Sequence, residues 1–226
     1  MANELEIQKN HLITSERFSA IGELSARIAH DLKNPLNNLN MAVESFQKKY
    51  HNMFDKEDLE KIKIMKRSVD RMNRQINGVL DFVRKTPISL QEHSLRKLLQ
   101  SALTTIEVPP DVKIKIPENE YMVNCDSRLE TVFLNLFNNA LDSIGKKGKI
   151  DVEIIEKNNE FILNFIDSGK GFGTDLLSKI FEPLFTTKEH GTGLGLVTCK
   201  NIIEQHGGTI TAKNNPTTFT IRLPKK

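Results

Sequence analysis

Cysteine is scarce in these 226 residues: Cys125 and Cys199 are the whole complement, far apart and in neither a CxxC nor a Cys/His cluster. That pattern excludes a disulfide framework and a structural zinc module, and it fits a reducing, cytoplasmic setting. Long apolar runs are missing too. Hydrophobic residues come in short stretches broken by charges, well below the roughly 18 in a row that mark a membrane span, and the first residues lack a signal-peptide core. Neither sign of charge dominates, with 32 Lys and Arg against 29 acidic residues, divided 15 to 12 before Pro87 and 17 to 17 after it. So even a balance excludes a dedicated nucleic-acid footprint. Repeats and low-complexity tracts are also absent. What remains is 38% hydrophobic and 27% charged, a globular balance with room for one large or two smaller cores.

Between Thr14 and Arg84 the chain holds two glycines, Gly22 and Gly78, and one proline, Pro35. Phe18, Ile21, Ser25, Ile28, Leu32, Pro35, Leu39, Ala42 and Phe46 alternate spacings of three and four, which is a helical seam. A second seam runs through Leu59, Ile62, Met65, Val69, Met72, Ile76, Val79 and Val83, and His51, Asn52 and Asp55 mark a turn between them, with Asp55 as N-cap. Two helices cannot enclose a core alone, so this hairpin is expected to pair with an identical one as a homodimeric four-helix bundle. Pro35 removes one helical hydrogen bond and is expected to bend the first helix near His30, a device for presenting or hiding that side chain.

After Pro87 the texture changes to alternating strands and helices. A helix over 95–105 and a Pro109-Pro110 break lead to strands at 112–116 and 121–125, and Asp126-Ser127 precedes a helix reaching about residue 144. Strands at 150–155 and 160–166 pair through the turn at 157–159. A helix over 194–205 ends at Gly207-Gly208, and strands at 209–212 and 217–223 close the sheet.

Two glycine clusters stand out. Asp167-Ser168-Gly169-Lys170-Gly171 ends an apolar strand, and Gly191-Thr192-Gly193-Leu194-Gly195-Leu196 opens a helix, where unpaired amides at the positive end suit a phosphate. Taken singly, each is as well explained by a tight turn. Asn135 and Asn139 lie one turn apart in an otherwise apolar helix, and an asparagine oxygen can join a magnesium ion whose other ligands are phosphates and water.

Together these residues resemble a known family. Asn135-Leu136-Phe137-Asn138-Asn139-Ala140-Leu141-Asp142 is similar to the N box of sensor histidine kinases, Asp167 to Gly171 to the G1 box, Phe181-Glu182-Pro183-Leu184-Phe185 to the F box and Gly191 to Leu196 to the G2 box. Ala29-His30-Asp31-Leu32-Lys33-Asn34-Pro35-Leu36 resembles the H box. The resemblance implies an α+β protein: a helical hairpin for dimerisation and phosphotransfer over 1–86, then an α/β sandwich over 87–226 that binds ATP with Mg2+. That ATPase fold is shared with gyrase, heat-shock chaperone and mismatch-repair ATPases.

The family assigns roles residue by residue. Asp167 would accept the adenine amino group, Gly169 and Gly171 would line its loop, Asn139 would ligate Mg2+, and Asn135 and Asp142 would support it. Lys188 would reach the terminal phosphates, the 191–196 cluster (Gly191, Thr192, Gly193, Leu194, Gly195, Leu196) would wrap them, and Thr218 would lie near the adenine. Residues 181–190 would form a short lid, expected to be mobile without nucleotide.

Of six histidines, His11, His51, His93, His190 and His206 read as surface or cap residues. His30 lies off the apolar seam, and a neutral imidazole is a competent nucleophile near pH 7. By resemblance Asp31 would take the ring proton, and Asn34, one turn on, would orient a water for phosphatase action on a response regulator, the expected acceptor of the phosphoryl group. The exposed lower part of the first helices would be the regulator dock, and residues 84–90 the hinge between domains. Two other classes compete: a hydrolytic ATPase clamp and an inactive nucleotide-sensing scaffold. Clamp relatives carry a glutamate base four residues before the magnesium asparagine; here Asn135 stands there, and an amide cannot take a proton from water. The chain begins close to the bundle, so it reads as part of a longer sensor, attached to a membrane only through an upstream segment.

Overall fold

The computed structural model describes residues 31–50, 53–83, 87–188 and 191–225, and these fall into two compact units, within 1–85 and 86–226. His30 and the seam residues Phe18, Ile21, Ser25 and Ile28 lie outside the described residues, as do His11, His51 and His190. No described helix is long and apolar enough to cross a membrane.

The first unit contains α1, described over 31–50, and α2, Lys56–Val83. Asp55 caps α2 as its sequence position suggests, its Oδ1 accepting the Asp58 N–H at 2.8 Å. Phe46 packs on Tyr50 and Phe54 across the turn, with centroids 5.1 and 5.4 Å apart. Among the described residues, the side chains buried within the unit are Leu36, Ile62 and Val69, and Leu36 and Val69 lie at similar distances along the chain from the turn, as two arms of a hairpin require. Leu36 is not in the seam expected for α1. That seam's described members, Leu32, Pro35, Leu39, Ala42 and Phe46, are exposed, together with Leu59, Met65 and Met72 of α2. Each helix therefore has one apolar face turned to its neighbour and a second left over. The helix runs unbroken past Pro35 from residue 31.

The second unit is a sandwich of three helices on a five-stranded mixed sheet. Its elements are β1 (Gln91–Ser94), α3 (Leu95–Thr104), β2 (Asp111–Lys115), β3 (Met122–Cys125), α4 (Leu129–Ile144), β4 (Lys147–Glu156), β5 (Glu160–Asp167), α5 (Gly195–Gln205), β6 (Thr209–Lys213) and β7 (Thr217–Pro224). The large sheet has the order β2-β4-β5-β7-β6, with β2 parallel to β4 and the other pairs antiparallel. A separate ladder joins β1 to β3. Strand alternation turns Ile150, Val152 and Ile154 of β4, Phe161, Leu163 and Phe165 of β5, and Phe219, Ile221 and Leu223 of β7 toward the helices. Phe133 and Phe137 of α4 meet Phe165 with centroids 5.6 and 5.4 Å apart, which fixes α4 across the middle of the sheet.

His206 is the cap residue its position suggests, the C-cap of α5, but a buried one and not a surface one. It is buried at the end of α5, where its Nδ1 donates to the Ile202 carbonyl at 2.6 Å and its Nε2 accepts the Asp126 N–H at 2.9 Å. The Asp126 carboxylate in turn accepts from Ser89 N–H at 2.7 Å, from the Arg128 N–H at 2.9 Å and from its guanidinium. Burial works against that charge, but these donors outweigh it and hold the carboxyl well below the usual carboxylate range. The start of the second unit is thereby tied to the end of α5. Both thiols are buried, and burial pushes Cys125 up to about 11 and Cys199 up to about 12, so neither is a reactive thiolate.

Candidate active site

Helical periodicity sets the first wall. Asn135, Asn139 and Asp142 follow one another at four and three residues along α4 and so share one face. Strand periodicity sets the second. Asp167 continues the helix-facing row of Phe161, Leu163 and Phe165, so at the end of β5 it is turned inward with only 4% of its surface exposed. Burial raises its pKa, against the opposing pull of the Gly169 N–H, which donates to Oδ1 at 2.8 Å. Its second carboxylate oxygen is left for a ligand.

The glycines of the first cluster let the chain pass close to both walls. A Cβ on Gly169 would come within 2.0 Å of Ser143 Oγ on α4, and Gly171 adopts φ +71°. Thr218, expected beside the adenine, lies on the opposite face of β7 from the residue paired with Asp167. Its hydroxyl donates to the Pro216 carbonyl, and Thr217 is the residue paired directly with Asp167 and sharing its face. A Cβ on Gly171 would stand 3.1 Å from Thr217 Oγ1.

Phe181 and Phe185 anchor the start of the lid by packing partly buried against the core, while Leu184 between them is 68% exposed at φ +64°. The Leu184 N–H donates to the Gly193 carbonyl at 3.1 Å. Gly193, at φ +66°, has no room for a side chain, since a Cβ would lie 2.3 Å from the Leu184 carbonyl carbon and 2.6 Å from Phe185 N. The F and G2 segments are thus clasped backbone to backbone. Gly191 N–H bonds the Lys188 carbonyl, and Thr192 Oγ1 accepts from Leu194 N–H at 3.4 Å. Leu194 is buried and Leu196 packs on the core, which seats α5; its first turn receives no side-chain cap, so its amides are available to an anion. Gly195 brings that turn against α4, where a Cβ would be 3.2 Å from Asn135 Oδ1.

Lys188 closes the site. Its Nζ donates to Asn139 Oδ1 at 2.8 Å and to Asp142 Oδ2 at 2.6 Å. An amide oxygen and a carboxylate oxygen therefore already hold a cation where Mg2+ is expected. No described group of three or more His, Cys, Asp or Glu side chains could hold a metal. Magnesium does not need one, because it keeps waters and phosphate oxygens and takes one or two protein ligands. The residues fit the ion. Asp31 and Asn34 are exposed on α1, in the other unit.

Comparison with known proteins agrees with this geometry. Residues 125–226 match the family model of the histidine kinase-, DNA gyrase B-, and HSP90-like ATPases, and residues 20–88, which include His30, match that of the His Kinase A (phospho-acceptor) domain. The chain is 35% identical over 219 residues to the sensor histidine kinase ZraS of Salmonella typhimurium, covering 92% of this chain and 47% of that protein. It thus spans about half the length of the curated relatives it matches. Among solved structures, the nucleotide-free catalytic domain of histidine kinase ThkA aligns at 30% identity and a TM-score of 0.55, over 61% of this chain and 97% of that one. ThkA in complex with the response regulator TrrA aligns at 27% identity and a TM-score of 0.61, over 99% of this chain and 67% of that one. Carrying a phospho-acceptor region and this ATPase fold in one polypeptide, the chain belongs to the sensor histidine kinases.

Proposed function

We propose that the chain catalyses ATP-dependent phosphorylation of its own His30 and passes the phosphoryl group to an aspartate on a response regulator. The observation that carries this reading is the convergence, in one unit, of a buried carboxylate at Asp167, an uncapped α5 N-terminus and an oxygen pair, Asn139 and Asp142, that binds the Lys188 ammonium. Asp167 and Thr217 hold the base, and the amides at 191–196 receive the phosphates. Asn139, with Asp142 beside it, would hold Mg2+, which would supply charge neutralisation for the terminal phosphates. Phosphoryl transfer asks for positioning and charge more than covalent work from the protein. A nitrogen of the His30 ring forms a bond to the γ-phosphorus as the bond to the β–γ bridging oxygen breaks, ADP leaves, and the proton on the other ring nitrogen passes to Asp31. Asn34 orients a water for the reverse task, removal of phosphate from the regulator.

Asn135 favours transfer over hydrolysis, since no carboxylate base stands at its position. The exposed apolar face of the hairpin, with Leu32, Leu39, Phe46, Leu59, Met65 and Met72, supports a homodimer that buries it as a four-helix bundle. Use of ATP and two buried, unpaired thiols support a cytoplasmic location. The test is incubation with γ-labelled ATP and Mg2+, followed by acid or alkali. Label lost in acid and kept in alkali marks a phosphohistidine; release of free phosphate with no protein-bound label would mark a hydrolytic clamp instead.

Lys188, which pairs with Asn139 and Asp142, has a second task in this reaction: it reaches the γ-phosphate of a bound nucleotide. The ion pair is exposed, worth about 1 kcal/mol or less, so it yields readily to a nucleotide. A charge-assisted hydrogen bond to the γ-phosphate contributes about 1.5–3 kcal/mol, so Lys188→Met slows autophosphorylation by about 10- to 100-fold. ADP, which lacks that phosphate, binds the variant with nearly unchanged affinity. Single-turnover labelling and ADP calorimetry check the split, and an equal loss in both would place Lys188 on the diphosphate.

A further inference from the structure

The turn between β6 and β7 carries a side chain that no motif marks. Asn214 faces the loop after Asp167 and pairs with the backbone of Phe172 on both sides: its Oδ1 accepts the Phe172 N–H at 3.1 Å and its Nδ2 donates to the Phe172 carbonyl at 2.6 Å. Such two-point pairing fixes orientation as well as distance, much as one rung of a sheet does. The neighbouring Gly171 is pressed against the same amide, since a Cβ there would come within 2.8 Å of Asn214 Oδ1. Phe172 is held on its other side by Phe219 of β7, edge to face at 5.7 Å. The loop is therefore pinned at its near end by Asp167 through the Gly169 N–H, and at its far end by Asn214.

We propose that Asn214 is a positioning residue for base recognition: by clamping Phe172 it holds the 169–171 backbone at the spacing from Asp167 and Thr217 that admits an adenine ring. The idea rests on the reading of Asp167 as the adenine acceptor. It follows that Asn214 acts on the base half of the site and not on the phosphate half, which is built from α4, α5 and Lys188. Loss of the clamp leaves the Phe172 N–H and carbonyl, both in a half-buried loop, without their partners. An unmade pair of this kind costs enough to loosen the loop and weaken base binding by about 10-fold.

Calorimetric titration of the whole chain with the non-hydrolysable analogue AMP-PNP and Mg2+ tests this, alongside thermal stabilisation by excess Mg-tripolyphosphate, which has no base. Asn214→Ala binds AMP-PNP about 10-fold more weakly, responds to tripolyphosphate as the wild type does, and discriminates less between AMP-PNP and its guanine counterpart. Asn214→Asp, which fills the same space and still accepts the Phe172 N–H but sets a carboxylate oxygen against the Phe172 carbonyl, shows the same selective loss. Wild-type AMP-PNP affinity in both variants, or equal loss of both ligands, overturns the proposal. Asp167→Asn in the same titration separates the two readings. If it too binds AMP-PNP normally, the adenine site itself is misassigned; if it alone loses binding, Asn214 is a turn residue only.

Discussion

His30→Gln leaves nucleotide binding intact and abolishes acid-labile label. Glutamine is a polar side chain of similar reach, so folding is little affected. Its amide nitrogen, however, has its lone pair delocalised into the carbonyl and cannot attack phosphorus, whereas a neutral imidazole nitrogen can. With the nucleophile gone no other histidine lies within residues 31–50, and labelling falls by at least about 1,000-fold, a barrier increase of about 4 kcal/mol. AMP-PNP affinity stays at the wild-type value, because the residues proposed to bind it belong to the other unit. Persistence of alkali-stable label in the variant would assign the phosphoryl acceptor to a different residue. Free phosphate release at an undiminished rate would favour the clamp over the kinase.

What could be read before folding follows the length scale of each feature. Asn135, Asn139 and Asp142 converge because a helix repeats every 3.6 residues, and Asp167 turns inward because a strand repeats every two, so local period alone places them. The same rule explains why Thr217, and not the expected Thr218, shares the face of Asp167. In a strand one residue of offset reverses the face, and only the register with β5, Asp167 against Thr217, decides which threonine is inside. Strand β1 escaped notice for a related reason. Gln91-Glu92-His93-Ser94 has no apolar alternation, and it is a strand because β3 pairs with it and because Ser94 then caps α3, its Oγ accepting the Lys97 N–H at 3.2 Å.

Features created by distant pairing were not visible at all. Lys188 meets Asn139 and Asp142 across 49 and 46 residues of chain, His206 meets Asp126 across 80, and Asn214 meets Phe172 across 42. Nothing in the local sequence of any of them encodes the partner. In the hairpin the opposite problem arose. A seam of three-four spacing runs through Leu32, Leu39 and Phe46, yet the face closed inside one chain contains Leu36, because a bundle helix has two apolar faces and a single count follows one.

Asp167→Asn is expected to cost more binding than any other conservative change in the second unit. The carboxylate has two acceptor oxygens and, in the proposed complex, two donors to meet: the Gly169 N–H on Oδ1 and the adenine amino group on the other. An amide of the same shape has one acceptor. If its oxygen faces Gly169, its NH2 confronts the adenine NH2; if it flips, its NH2 confronts the Gly169 N–H. Either arrangement leaves buried donors opposed, at about 1–3 kcal/mol for each unmet group, so ATP affinity falls by about 100-fold. A guanine presents an acceptor oxygen at the same edge, so GTP loses less and the preference for ATP narrows. Stability moves the other way. Burial raises the Asp167 pKa, so the folded chain holds that proton more tightly than the unfolded chain, and the group's contribution declines as pH climbs above the unfolded value of about 3.9. At pH 7 the neutral amide removes that penalty, and the variant melts no lower than the wild type while binding nucleotide far more weakly. Calorimetry with AMP-PNP and thermal melts at pH 5 and pH 7 measure both sides. Weak binding accompanied by a large drop in melting temperature would make Asp167 a structural residue, and unchanged binding would remove it from the adenine site.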